Sequence, residues 1–541
     1  MKVCLLYEDR EKSNEATYFD TASIIKDLGL GTLFLSAAKT LVYENGEVKT
    51  VGKEDPFLMD TLRNVMMTPL FTKEEIVFRQ QIVEDCIRHE DFIRELYRIS
   101  STMILKWNEL GRGGREKLQQ SNPVTKLVAD IRVLHLFCDS LSAVRTLLSE
   151  QEEAFTSKGL IAFRDQFFEA FPPEREAFMK NVLADISFYT SGSDEEDAGR
   201  DKVVKPRIVM ESGLEDGLKF SSLKLEEVSS QSDKFYRPGS TRYRIREFIH
   251  SRIPDSFSTV SDMWISEQSQ TLEYGVVSFL VEELKKVTED FQSFFDRLRF
   301  QSAFYLSAVQ LKHQLERISK EWCFPGVCDR RDLEFTDLRE PVLAMEHRMN
   351  VIANSCSLKQ KDLLIVTGAN QGGKSTFLRS IGIAQVMMQC GLMVMASSYA
   401  GGIFPRFFVH FTRREDSEMN SGRLDEELGR MNRIVEQIGD GSLLLLNESF
   451  ATTTEKEGSV IAYDIIRALI ESGVRILTVT HLLSFAQRVH EETKDKPDSG
   501  VEFLSAERKN DGQRTFRMIR HEPELTSFGL DLYEEIVGSV D

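Results

Sequence analysis

The chain has 541 residues, 28% charged and 41% hydrophobic, with 13 Pro and 32 Gly, which gives room for sizeable cores and excludes stapled mini-scaffolds, collagen-like chains and largely disordered ones. Lys and Arg number 68 against 86 Asp and Glu, a net charge of −18. That balance rules out coating a polyanion through net charge and requires any nucleic-acid contact to be local.

The opening MKVCLLYEDREKSNE turns acidic before an apolar stretch of signal-peptide length can build, so secretion is not encoded there. Residues 1–60 read as a small mixed segment ending in LVYENGEVKTVG, where Asn45-Gly46 marks a hairpin turn. From Lys73 to Ser149 apolar residues recur three and four apart, with breaks at Gly111 to Gly114 and at Asn122-Pro123, which predicts helices. A polar break at 191–202 precedes a strand-rich insert reaching Pro254. Between Pro254 and Pro325 there is no proline and one glycine, Gly275, so one very long helix is allowed. Leu280, Leu284, Val287, Phe291, Phe294 and Leu298 alternate steps of four and three, a coiled-coil seam or the face of an ordinary bundle helix. A helix over Leu272 to Glu316 would span on the order of 65 Å.

Beyond about Asp332 the pattern changes. Apolar runs at Leu363 to Val366, Leu443 to Leu446 and Ile476 to Val479 alternate with helical stretches and predict a mostly parallel α/β sheet. Arg517 to Arg520 is expected to pair with Val501 to Leu504 or Ala506 to Lys509 across an Asp511-Gly512 turn. Ser380 to Pro405 has no charged residue, yet its Gln385, Gln389 and Gly401-Gly402 favour a buried helix and strand over a membrane span. The divisions expected are 1–60, a helical domain at 61–330 with an insert at about 190–254, and 331–541. The seven cysteines, at 4, 86, 138, 323, 328, 356 and 390, are too sparse for a disulfide framework and fit a reducing cytoplasm. Cys323 and Cys328 read as two buried or loop thiols rather than zinc ligands.

The most specific signal is DLLIVTGANQGGKSTFLRS, in which Gly368, Gly373, Lys374 and Ser375 complete G-x-x-x-x-G-K-S between a strand and a helix. Glycines there let backbone N–H groups face phosphate oxygens, and the helix adds its positive end. Gly368, Ala369, Asn370, Gln371, Gly372, Gly373, Lys374, Ser375 and Thr376 are therefore the expected ATP-binding loop, with Lys374 on the outer phosphates and Ser375 on Mg2+. A second strand, GSLLLLNESF, delivers Asn447 to the metal position usually held by Asp, without a negative charge, and Glu448 to polarise the attacking water. His481, after RILTVTH, is a γ-phosphate sensor or a structural strand-end histidine. In the insert, KFYRPGSTRYRIREF carries Arg237, with Arg242, Arg244 and Arg246 on one strand face: a phosphate-binding strip or a solvated face.

GANQGGKST, the Leu-rich strand ending in Asn447-Glu448, SFATTTEKEG and TVTH together resemble the ATPase domain of the MutS family of DNA mismatch-repair proteins, within the ABC-type ATPases. Further matches are FTR at 411–413, Ser527 to Leu530, Arg79-Gln80 followed by Val83, and DRLRFQSAF from Asp296. The resemblance implies a multidomain protein, a mostly α-helical core and lever followed by an α/β P-loop ATPase. It implies a DNA-binding homodimer with composite ATP sites, Mg2+ dependence and a clamp that closes on duplex. Asn370 would help position the attacking water, and Thr452 to Thr454 would face the opposite subunit. In NSGRLDEEL a gap-free match puts Gly422 at the family's key Ser, with Leu424, Glu427 and Leu428 at its Phe, Glu and Met; an insertion would restore Ser421 as the residue reaching the partner's nucleotide. The core begins after about 60 residues, leaving no room for a mismatch reader, and Phe167 to Glu169 fits a buried aromatic beside an exposed carboxylate better than a mismatch wedge. Mismatched, branched or otherwise distorted DNA is the expected partner. The alternative is a nucleotide-gated dimeric scaffold with little turnover and a protein partner.

Overall fold

The computed structural model describes residues 4–7, 17–39, 41–44, 47–50, 54–112, 123–151, 154–187, 207–215, 219–229, 255–412, 422–496, 499–509 and 514–523. In chain order the first elements are α1 (Thr21–Leu28), α2 (Gly31–Ala37), the hairpin β1 (Leu41–Glu44) and β2 (Glu47–Thr50), α3 (Pro56–Met66), α4 (Lys73–Arg88), α5 (Glu90–Arg112), α6 (Pro123–Ser149), α7 (Lys158–Ala170) and α8 (Pro173–Ser187). Then follow β3 (Arg207–Glu215), β4 (Lys219–Ser229), α9 (Asp255–Glu316), β5 (Gly326–Val327), β6 (Leu333–Leu338), α10 (Pro341–His347), β7 (Asn354–Leu358), β8 (Leu363–Thr367) and α11 (Lys374–Gln389). The last are β9 (Ser398–Gly401), β10 (Arg406–Phe411), α12 (Arg423–Val435), β11 (Ser442–Asn447), α13 (Glu455–Glu471), β12 (Arg475–Val479), α14 (Leu483–Thr493), β13 (Val501–Arg508) and β14 (Arg514–Arg520). Helical regions thus accompany an α/β sheet.

The described residues group into two compact units, one from 95–154 and 164–299, the other from 4–94, 155–163 and 300–541. Within the first, α6 packs on α8 around a phenylalanine core: Phe137 stacks on Phe291 and Phe295 at centroid distances of 5.3 and 5.9 Å, and Phe167 is fully buried beside Phe171 and Phe294. Glu169 is exposed, so Phe167 to Glu169 form part of this core packing. The expected strand-rich insert contains the antiparallel pair β3–β4. Arg237, Arg242, Arg244 and Arg246 lie outside the described residues.

Helix α9 is longer than expected, 62 residues, about 93 Å at 1.5 Å per residue. Its apolar positions do not form a continuous coiled-coil seam: Phe294 and Leu298 are buried, whereas Val287 is 43% exposed and its neighbour Thr288 is buried. Gln301 to Leu311 are buried on every face, the signature of a helix enclosed by a core. The bundle-helix alternative fits these residues.

The second unit contains a six-stranded sheet of order β10-β11-β12-β8-β13-β14 and a four-stranded sheet of order β5-β9-β6-β7. All pairings in the larger sheet are parallel except β13 with β14. Strands β8, β11 and β12 are Leu-, Ile- and Val-rich and buried almost throughout, as strands covered on both faces must be. Leu504 pairs with Arg520 and Ala506 with Met518, so both expected partner runs of the late hairpin belong to one strand. The uncharged stretch becomes helix α11, a buried connection and β9. Its glutamines serve backbone groups there: Gln385 donates to Gly402 O at 2.8 Å, and Gln389 donates to Phe404 O at 2.9 Å. Among the described residues no helix is long and apolar enough to cross a membrane, and all seven cysteines are unpaired. Burial raises the thiols of Cys323 and Cys328 above their ordinary range.

Candidate functional site

Strands β11, β12 and β8 are neighbours running in one direction, so the residues after their C-terminal ends converge. In an open parallel sheet this is where ligands bind. The segment after β8 turns on Gly368 at φ 106° and Gly373 at φ 89°, conformations that a Cβ disfavours. At Gly368 a Cβ would also lie 2.8 Å from Ala506 N, so the loop needs glycine for backbone and for space. Gly373 is the N-cap of α11, and the first N–H groups of that helix are free to receive an anion.

Lys374 is almost fully buried, with Nζ donating to the carbonyls of Gly368 and Ala369 at 2.9 Å each. Burial lowers its pKa to about 8, partly opposed by the charge of Glu448. Glu448, after β11, adopts φ 57° and its N–H donates to Val479 O at 2.8 Å. Its carboxylate lies 2.8 Å from His481 Nε2. Burial raises the Glu448 carboxyl, but the His481 hydrogen bond and the charges of His481 and Lys374 outweigh it and hold it below the ordinary range.

These groups share a cavity of about 630 Å³ lined by Asn370, Gln371, Gly372, Gly373, Lys374, Ser375, Thr376, Glu448 and His481. Gly368 and Ala369 lie behind it, presenting carbonyls to Lys374. Asn447 is not among the lining residues, and its Oδ1 is buried without a hydrogen-bond partner. That orphaned oxygen and the Ser375 hydroxyl are of the type Mg2+ prefers. Both are neutral, so they suit an ion whose charge is balanced by phosphate oxygens. Among the described residues no cluster of three or more His, Cys, Asp and Glu could hold a metal alone. Ser421 lies outside the described residues.

Sequence reasoning missed the opposite wall. Arg514, Thr515 and Phe516 of β14 line the cavity with Glu340, Met349 and Ile352, and Arg514 Nη1 donates to Gln371 Oε1 at 2.8 Å. Asn354 pins this strand, donating through Nδ2 to Phe516 O and accepting from Met518 N. Met349, Ile352 and Phe516 are 53%, 45% and 44% exposed, an apolar rim to the cavity that holds Lys374, Glu448 and His481. No local pattern marks these residues, which reach the loop from far along the chain.

Fold and cavity together define a protein of helical regions and a parallel α/β domain whose glycine-rich loop faces an acidic strand end. Residues 364–537 match the family model for MutS domain V and residues 72–191 the model for the MutS2 N-terminal domain. Over these two stretches the chain is similar to the MutS family. It is 25% identical over 391 residues to an endonuclease MutS2 of Carboxydothermus hydrogenoformans, covering 66% of this chain and 49% of that protein. To a DNA mismatch repair protein MutS of Leptospira interrogans it is 25% identical over 308 residues, 56% of this chain and 35% of the other. An endonuclease MutS2 of Streptococcus sanguinis is 29% identical over 160 residues, 29% and 20% of the two chains. The matched part of this chain thus spans about half the length, or less, of these relatives.

Proposed function

We propose that the chain binds and hydrolyses ATP with Mg2+ and uses the nucleotide to control a dimer that holds mismatched, branched or otherwise distorted duplex DNA. The observation that carries this reading is the convergence of Lys374 with the Glu448–His481 pair in one cavity. Lys374, now on loop carbonyls, can turn its charge to the outer phosphates. Glu448, kept ionised, can polarise an attacking water that Asn370 helps position, and His481 can orient the carboxylate and meet the γ-phosphate. Ser375 would hold Mg2+ directly and Asn447 through a bound water; the ion, when bound, neutralises charge developing on the phosphates. Met349, Ile352 and Phe516 offer the base an apolar surface. Ser421 would reach the partner's nucleotide, and Arg237, Arg242, Arg244 and Arg246 would hold DNA phosphates. A cytoplasmic setting, the divisions at about 60 and 330, and the lever role of α9 belong to the same proposal.

The test is Mg2+-dependent ATP hydrolysis together with a binding panel of homoduplex, mismatch, junction and single strand, with and without ATP. Slow turnover altered by distorted duplex is expected. A protein that binds ATP yet has no affinity for any of these DNAs at low salt would sink the DNA half. The neutral Asn447 favours a second reading, a nucleotide-gated scaffold with little turnover and a protein partner. Turnover restored by Asn447→Asp, with no DNA affinity, is the outcome that would select it.

A further inference from the structure

Between β11 and α13 the chain passes through two left-handed residues that are not glycine, Glu448 at φ 57° and Phe450 at φ 67°. A side chain disfavours this backbone, so the surroundings must hold it. Much of the hold comes from α12. Glu427, 5% exposed on that helix, accepts the Phe450 N–H at 2.6 Å and the Thr452 hydroxyl at 2.5 Å with its two carboxylate oxygens. The helix is tied to the same place by His410, whose Nε2 lies 3.3 Å from Glu427 O and whose Nδ1 lies 2.7 Å from Ser449 Oγ. Arg430, one turn further on, donates to Phe411 O at 3.0 Å. Glu427 does not line the cavity and so has no direct contact there.

We infer that Glu427 is a positioning residue for Glu448: its carboxylate clamps the turn 448–452 in the strained conformation that aims the Glu448 side chain into the cavity. Without the clamp the Phe450 N–H is buried and unpaired, the turn relaxes toward right-handed backbone, and the Glu448 carboxylate leaves its place beside His481. Displacing a general base by about 1 Å costs up to about 100-fold in rate, while nucleotide affinity, set by the loop 368–376, stays. This inference rests on the ATPase reading and adds that residue 427 acts on turnover rather than on binding.

The experiment measures kcat, KM, ATP affinity and Tm for the full chain and its variants. Glu427→Ala should lower kcat about 10- to 100-fold with ATP Kd within about twofold of wild type. Glu427→Gln, which keeps one amide oxygen to accept the Phe450 N–H, should recover part of the loss, and Thr452→Val should lose less than Glu427→Ala. The double variant Glu427→Ala with Glu448→Ala should be no slower than Glu448→Ala alone. A Glu427→Ala protein with near wild-type kcat, or one whose ATP affinity falls in step with kcat, overturns the assignment. If that variant does not fold, wild-type kcat in both Glu427→Gln and Thr452→Val overturns it instead. Failure of the underlying reading looks different: wild-type protein that binds ATP without hydrolysing it removes Glu448 as the base and Glu427's role with it.

Discussion

At the scale of single residues, the cavity chemistry depends on two charges placed against desolvation. Lys374 is buried on carbonyl oxygens, and its pKa of about 8 means that part of its charge is lost just above neutrality. Phosphates bind the protonated form, so nucleotide binding should draw a proton onto the site as pH rises through about 8. Calorimetry of ATP binding at pH 8.5 in buffers of different ionisation enthalpy should show proton uptake that Lys374→Met abolishes. For Glu448 the sign is opposite. Burial raises its carboxyl, and the hydrogen bond and charge of His481 together with the charge of Lys374 outweigh this, so His481→Ala leaves burial less opposed and should move the acid limb of the rate profile to higher pH. An unchanged acid limb would mean that another group sets it.

The elements are held by polar clasps as well as by apolar faces. Asp85 on α4 is buried and accepts from Thr156 N, Thr156 Oγ1 and Ser157 N at 2.9, 2.7 and 2.6 Å, directly before α7. Burial raises this carboxyl, but the hydrogen bonds from Thr156 and Ser157 outweigh it and its folded pKa lies below the ordinary value. Such a group adds stability that is present above its unfolded pKa and lost as pH falls through the folded one. Asp85→Ala should therefore destabilise its unit by about 1–3 kcal/mol at pH 7 and by less below pH 4, read from urea unfolding at the two pH values. Glu176 plays the same part between α8 and α6, with Arg145 Nε donating to it at 2.6 Å and its pKa lowered to about 2. Glu176→Gln should flatten the acid side of the stability curve in the first unit.

On the scale of the whole molecule, if a chain of net charge −18 is to bind DNA as proposed, it must do so through a confined positive surface. Replacing Arg242, Arg244 and Arg246 together by Ala should weaken duplex binding and reduce the salt slope by about three, without changing ATP affinity. Loss of ATP affinity in that variant would point to misfolding rather than to lost phosphate contacts. If ATP closes the proposed dimer and Glu448 is the base, Glu448→Ala should bind ATP, turn it over much more slowly and double in mass by light scattering when Mg2+ and ATP are added.

How far the sequence reaches can be seen in particular residues. The loop 368–376 is legible because its nine residues are contiguous and flanked by a strand and a helix; Glu448 and His481 are legible because each ends an apolar strand of the same sheet. Arg514, Phe516, Asn354 and Glu340 are not, because they come from separate elements that only the tertiary fold brings to the same cavity. Glu427 stands out as a motif match, yet its hydrogen bonds to Phe450 and Thr452 follow from packing of α12 beside the turn after β11. The seam of α9 shows the reverse limit: Val287 fits the heptad and is exposed, while Thr288 does not fit it and is buried.

The amino-acid order alone determines the helical regions, the parallel α/β domain, the phosphate loop and the family resemblance, since these rest on local periodicity and on contiguous motifs. Tertiary structure decides which wall faces that loop, which charges are desolvated and which helix holds the turn after β11. Those depend on contacts between residues tens to more than a hundred positions apart, where no local preference acts and packing alone selects the partner.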